Sequence, residues 1–454
     1  MQRLALTLGI LFISKICIQA QSFAGIHTSN YDPLKLTFFN PAAMANSNMR
    51  WQVNIASFDI KASNDFIYLN SLKGIIKDEG EWDHTRYFKE RFNGQPKNIQ
   101  AELDLRGPSF MFSFGKNAVS LATRTRGIVA INDIDERFAS SLFNYQDNLI
   151  QYLPSFTDER VNAAFNSYSE ISFSYARHIL DKGAHQLTAG VNVKLLDKIF
   201  FSSFTGNNIT FNKTVLAQDL DSLINVGSSQ FEMIVSNDLE DKKYKYRRGI
   251  DGVAFDLGLE YSFKPLRITK GYFIKVGAAV NDVGRLRQEY GNSTRVFEGT
   301  NRTVPTQNLL TPDGDIINFD ELLDSLGNRS TLTGKFNVQL PTVLQFYADV
   351  KVLTKFYVFA GVQVNPSDFK KIDALANLPT RISVVPRFEI KSIGVFAPLT
   401  WDKYEGFSNG VGLRFGQFSL GSANIISSVL KKNFTAVDFF LSLSFGGKRR
   451  LEAL

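Results

Sequence analysis

From Val253 to Phe263 every second residue is apolar: Val253, Phe255, Leu257, Leu259, Tyr261 and Phe263 alternate with Ala254, Asp256, Gly258, Glu260 and Ser262. The same period of two runs through Tyr272, Ile274, Val276, Ala278 and Val280, and through Leu344, Phe346, Ala348, Val350 and Val352. It returns in Val437, Phe439, Leu441, Leu443 and Phe445. Strand side chains point to alternate faces, so each stretch has one apolar face and one polar or glycine-rich face.

A soluble sandwich with a dry interior and a membrane barrel with a greasy exterior both produce this alternation. Loop lengths decide between them. Fourteen strands are expected, near 51–69, 100–115, 118–131, 168–180, 185–204, 250–263, 271–284, 340–352, 356–365, 380–390, 391–401, 408–416, 418–424 and 434–446. Long connections (70–99, 132–167, 205–249, 285–339, then 366–379, 402–407 and 425–433) alternate with tight turns at Gly115-Lys116-Asn117, Asp181-Lys182-Gly183, Thr354, Lys391 and Gln417. Long loops on one rim, short turns on the other and an even strand count predict an all-β fold, a transmembrane antiparallel β-barrel.

The ends of the chain add a compartment. Met1 to Ala20 starts with Arg3, is apolar from Leu4 to Ile13 and closes on Ile18-Gln19-Ala20, the pattern of a secretory signal peptide. The organisation predicted is a signal peptide at 1–20, an N-terminal segment at 21–50, the barrel at 51–446 and a periplasmic tail at 447–454. The only cysteine, Cys17, falls in the leader, so no disulfide framework is expected. The 454 residues are 44% hydrophobic and 13% aromatic, which excludes a disordered chain, and the net charge of +7 is too weak for a nucleic-acid footprint.

Candidate chemistry is sparse. His27, His84, His178 and His185 have no metal-ligand spacing, and neither a His-Glu-x-x-His helix nor a Gly-x-Ser-x-Gly elbow occurs. Asp313-Gly314-Asp315 with Asn318, Asp320 and Glu321 approximates a calcium loop, but Ile317 stands where an oxygen ligand belongs, so it reads as a solvated acidic loop. No catalytic residue, metal or cofactor is expected.

Phe38-Phe39-Asn40-Pro41-Ala42-Ala43-Met44-Ala45, shortly after the leader, resembles the N-terminal hatch of the fatty-acid-transporter (FadL) class of fourteen-stranded barrels. Gly107-Pro108-Ser109-Phe110-Met111, Ser169-Glu170-Ile171, Asn281-Asp282-Val283-Gly284, Pro386-Arg387-Phe388-Glu389 and Gly412-Leu413-Arg414-Phe415-Gly416 resemble a family of uncharacterised Bacteroidota outer-membrane proteins, similar also to PorV-type barrels. The resemblance implies a cell outer-membrane location, no established activity, and a hatch carried by Phe38, Phe39, Asn40, Pro41 and Ala42. Pro41 lacks a backbone donor and biases Asn40 toward an extended conformation, which suits a tucked segment.

Alternation directs Arg124, Arg126, Glu170, Lys194, Asp256, Glu260, Lys275, Asp349, Lys351, Arg387, Glu389 and Arg414 into the lumen. Their mixed signs predict ion pairs across a narrow interior rather than a selectivity ring. Phe273, Tyr347, Tyr357, Phe359, Phe396 and Phe440 share that face, and either line an apolar pocket or pack against the hatch. Two functions follow: a passive channel for hydrophobic small molecules, or a structural or docking subunit of a larger outer-membrane assembly such as a type IX secretion-related complex. The partners expected are outer-membrane lipid and either a hydrophobic small molecule or other outer-membrane proteins, not nucleic acid.

Overall fold

The structure, a computed structural model, describes residues 23–69, 87–143, 155–215, 222–237, 249–265, 271–305, 308, 319–366, 378–430 and 435–448. The leader with Cys17, His84, Asp313 to Asn318 and the tail beyond Lys448 lie outside the described residues.

Fourteen antiparallel strands close into one barrel. They are β1 (Met49–Asn64), β2 (Lys97–Phe114), β3 (Asn117–Ile134), β4 (Phe156–Lys182), β5 (His185–Val215), β6 (Gly252–Phe263) and β7 (Ile274–Glu289). Then come β8 (Val343–Leu353), β9 (Phe356–Val364), β10 (Arg381–Glu389), β11 (Ile393–Phe396 and Leu399–Asp402), β12 (Gly406–Asn409 and Val411–Phe415), β13 (Phe418–Ser422) and β14 (Ala436–Lys448). Each pairs with its chain neighbours, and β14 closes on β1 with Ile60 opposite Phe439 and Lys61 opposite Asp438.

The wall is inverted relative to a soluble protein. On β6, Leu257 is 56% exposed while Asp256 beside it is fully buried. Phe110, Leu121, Phe173, Phe255 and Leu441 are likewise exposed, whereas Asp59, Lys61, Lys194, Glu260 and Arg387 are buried. So wide an apolar exterior is stable against lipid and not against water, which removes the sandwich alternative.

Tight turns at Gly115-Lys116, Gly183-Ala184, Thr354-Lys355 and Gly416-Gln417 share one rim. Gly115, Gly183 and Gly416 have positive φ there, as such reversals require. Met49 pairs with Lys448 at the same rim, so the strand continues into the stretch expected to be tail. At the other rim β4 and β5 run for 27 and 31 residues, well past the roughly 9–11 that span a bilayer. They therefore begin and end beyond the bounds expected from sequence, which placed 156–167 and 205–215 in loops. Their tall ends carry short strands such as Gln230–Val235 and Arg295–Gly299. These share with the helix α2 (Phe319–Leu326) a core of Phe211, Ile224, Phe297, Leu323 and Leu326.

The N-terminal segment is a 3-10 turn (Phe23–Thr28), a short helix α1 (Pro33–Thr37) and a second 3-10 turn (Pro41–Met44). Asn40 is extended (φ −149°, ψ 109°) and its side-chain oxygen accepts the Ala42 N–H at 2.9 Å, with Pro41 at the first helical position, where no N–H is needed.

Candidate functional site

The lumen is organised around a bulge. Phe255 pairs with Val283 and Leu257 with Val280, so Asn281 and Asp282 face Asp256 alone. Asp282 takes a positive φ of 59°, and both residues turn inward. The Asp282 carboxylate receives Arg126 at 2.7 Å and Lys194 at 2.5 Å, and Lys194 also meets Asp256 at 2.8 Å. On β2 and β3, Asp104 is held by Arg106 (2.9 Å) and Arg124 (2.7 Å), with Glu170 3.6 Å from Arg124. A third group joins Arg387 to Asp349 at 2.7 Å and Glu389 at 3.2 Å. Such buried pairs contribute little net stability over apolar packing, but deleting one partner strands the other charge.

The N-terminal segment lies among these groups. Asn281 donates to the carbonyl oxygens of Phe39 (3.0 Å) and Phe38 (3.2 Å). Asn40 donates to Leu259 O at 2.9 Å and to the Tyr347 hydroxyl at 3.2 Å. Glu260 accepts Asn46 at 2.7 Å, and Glu389 accepts Ser29 at 2.5 Å. The Phe38 ring lies under two guanidiniums, Arg106 at 4.4 Å and Arg124 at 5.1 Å, a cation–π arrangement. Tyr347, Phe359, Phe396 and Phe440 form one buried cluster with Ile26, Leu36, Phe39 and Ala43, so these aromatics touch the segment rather than line an empty pocket. A cavity of about 70 Å³ remains beside Phe38, edged by Asp104, Arg106, Arg124 and Arg381. It is polar and has room for a few waters, far short of the roughly 300 Å³ at which ligand sites begin.

Room for a ligand lies in the wall instead. β1 and β2 pair as far as Asn54 with Ser109 and resume at Ser57 with Arg106, leaving Ile55-Ala56 and Gly107-Pro108 outside the ladder. The β1–β14 ladder shifts between Asn54 and Ala56 and the β2–β3 ladder between Arg106 and Ser109, so each of the two strands carries one extra residue. Pro108 has no N–H to give, and Asn54 reaches across to the Gly107 carbonyl at 3.0 Å. Around this double bulge is a cleft of about 1030 Å³. Apolar Phe58, Leu105, Ile171 and Leu441 line it together with the lumen-side Arg106 and Arg124.

Of the twelve charges expected in the lumen, ten are buried, Arg124 is half-buried against Asp104, and Lys351 is half-buried near the short-turn rim. Arg414 sits over the Tyr31 ring at 4.5 Å and donates to Ile390 O at 2.7 Å. Tyr357 is half-buried beneath Arg387. Phe273 does not belong with them. It is 44% exposed, and Tyr272 turns inward in its place, donating to Asp349 and accepting from Arg387. Regular pairing of β7 starts only at Ile274, so the alternation does not extend back to Phe273. Sequence reading missed Asp282, which strict alternation points outward. The Asn-Asp dipeptide, tolerant of positive φ, was the available signal. Asp59, Lys61, Asp104, Arg106, Arg381, Asp402 and Asp438 are further buried charges not singled out from sequence.

Wall and interior together define a fourteen-stranded outer-membrane-type β-barrel whose lumen is occupied by its own N-terminal segment. The chain belongs to the family of unknown function DUF5723, which matches residues 41–422. No curated protein matches the sequence. Among solved structures it is similar to a Pseudomonas aeruginosa FadL homologue, at 12% identity over 95% of this chain and 99% of that one (TM-score 0.44). The Ralstonia pickettii toluene transporter TbuX gives 12% identity over 91% and 93% (TM-score 0.42). A deltaS2 mutant of the monoaromatic hydrocarbon channel TodX gives 10% over 96% and 98% (TM-score 0.44).

Proposed function

We propose that the protein resides in the cell outer membrane and is a passive channel for hydrophobic small molecules, closed along its axis by residues 23–48 and open sideways at Gly107-Pro108. The observation that carries this reading is the double bulge with its cleft. An apolar molecule needs a volume of ligand size and an apolar lining, and the cleft has both while the axial cavity has neither. Phe38, Phe39, Asn40, Pro41 and Ala42 are the hatch in this reading, and Arg106 and Arg124 mark where the route meets the lumen.

Deleting Ala56 and Pro108 together removes the extra residue from each strand while leaving every flanking residue on its present face. Cells producing the wild type should take up the fluorescent apolar probe N-phenyl-1-naphthylamine faster than cells producing the double deletion at equal barrel content. Equal rates would reject the sideways route. The docking-subunit reading is favoured by one observation, the filled lumen. It predicts that a pull-down from native membranes recovers a stoichiometric outer-membrane partner and that probe uptake equals that of cells without the barrel.

A further inference from the structure

We propose that the helix α3 (Ile425–Leu430) is a bilayer-inserted part of the barrel wall whose outer face binds the acyl chains of the surrounding lipid leaflet. β13 is five residues long, and its ladders stop at Ser422 opposite Val411 and at Gly421 opposite Phe440. Above that level, among the described residues, the edges of β12 and β14 have no strand between them, and α3 fills the interval. Ser427 accepts the Asn409 N–H at 2.9 Å and donates to its side-chain oxygen at 2.6 Å, while the Asp438 carboxylate accepts the Ala423 N–H. Backbone donors that a longer β13 would have engaged are thus met by side chains, as a wall in lipid demands.

The helix is inside out. Ser427 and Ser428 are buried toward the barrel, while Ile425, Ile426, Val429 and Leu430 point away, Leu430 at 76% exposure. Exposing four aliphatic side chains on six residues to water would be opposed by the hydrophobic effect. Phe407 and Val437, exposed on the two flanking strands, extend the same apolar surface into the lipid-facing belt described above. That continuity identifies the occupant as acyl chain. Behind the helix stand Ser422, Asn424 and Asp438, so α3 separates hydrocarbon from the polar lumen at this height.

The test uses the full chain with Cys17→Ser, refolded into phosphatidylcholine vesicles, carrying an NBD fluorophore on Leu430→Cys, Val429→Cys, Leu257→Cys or Asn301→Cys. The proposal rests on membrane placement of the barrel, which the Leu257 probe reports by itself. Lipid nitroxide at the 5-position should quench the Leu257, Val429 and Leu430 probes several-fold more than the Asn301 probe, with aqueous iodide showing the reverse order. Probes at Val429 and Leu430 that iodide reaches, or that neither quencher reaches because protein covers them, would overturn the helix assignment while Leu257 still reports lipid. Failure at Leu257 as well would overturn membrane placement and the proposal together.

Discussion

Gly190 and Gly258 face each other across the ladder between β5 and β6; the Pro41-Ala42 backbone lies against Gly190, and the Asn40 side chain and Pro41 ring lie against Gly258. A Cβ on Gly190 would stand 2.4 Å from Ala42 N, and one on Gly258 would stand 2.0 Å from the Asn40 side-chain oxygen. Overpacking of this kind costs about 1–3 kcal/mol. Gly190→Val should therefore unseat residues 23–48 while the barrel survives. Limited proteolysis should cut the segment, heat-modifiable mobility should persist, and planar-bilayer conductance should approach that of a chain lacking 23–48. Conductance unchanged from wild type in both variants would mean that the segment closes nothing.

Depth on the lipid face sets the second expectation. Leu257→Arg and Leu441→Arg place a charge near the bilayer midplane and should each cost about 2–4 kcal/mol, whereas Phe445→Arg near the rim should cost about 0–1. Urea titrations of refolding into lipid vesicles measure these differences. Equal losses at Leu441 and Phe445 would contradict the depth assignment.

The lumen pairs respond to a different logic. Arg387→Met strands Asp349 and Glu389, with an expected loss of about 3–5 kcal/mol. Arg387→Met combined with Asp349→Leu should recover part of it, read as a coupling energy in a double-mutant cycle. Strict additivity would show that the 2.7 Å pair is not energetically linked.

Sidedness follows from the sorted loops. Single cysteines at Asn237 and Asn301, both exposed on the long-loop side, should react in intact cells with an impermeant maleimide, and one at Lys182 in a short turn should not. The opposite pattern would invert the barrel.

The barrel was legible in the sequence because lipid enforces period two more strictly than water does: a polar residue facing hydrocarbon is costly, so Leu257, Phe346 and Leu441 alternate without exception. What departs from period two was not legible. Asn281-Asp282 turns two successive residues inward, and the dipeptide's tolerance of positive φ marks the place without fixing the change of parity. Tyr272 faces the lumen because Arg387 and Asp349 bind its hydroxyl, contacts that join distant segments. The extended ends of β4 and β5 are held by residues far away in sequence, Val161 by Phe66 and Ala139 and Phe211 by Phe297 and Leu323, which no local pattern shows. α3 fell in a stretch expected to be loop, although Ile425, Ile426, Val429 and Leu430 recur at helical spacing. Four aliphatics flanking two serines were the signal, and six residues are too few to weigh against a loop. The inward charges came out of parity, but their partners depend on bulges and on the N-terminal segment.

The placement of residues 23–48 bears on the order in which the molecule can assemble. Ser29 holds Glu389 of β10, Asn46 holds Glu260 of β6, and the first 3-10 turn adjoins the final strands, so one short segment takes partners from both halves of the chain. Its partners on β6 and β10 come to face one lumen only once the sheet has curled, so the segment finds its seat together with the meeting of β1 and β14. Sequence-distant contacts of this type slow folding. Joining the first and last strands is then the committing event, and a segment near the start of the chain waits on strands near its end.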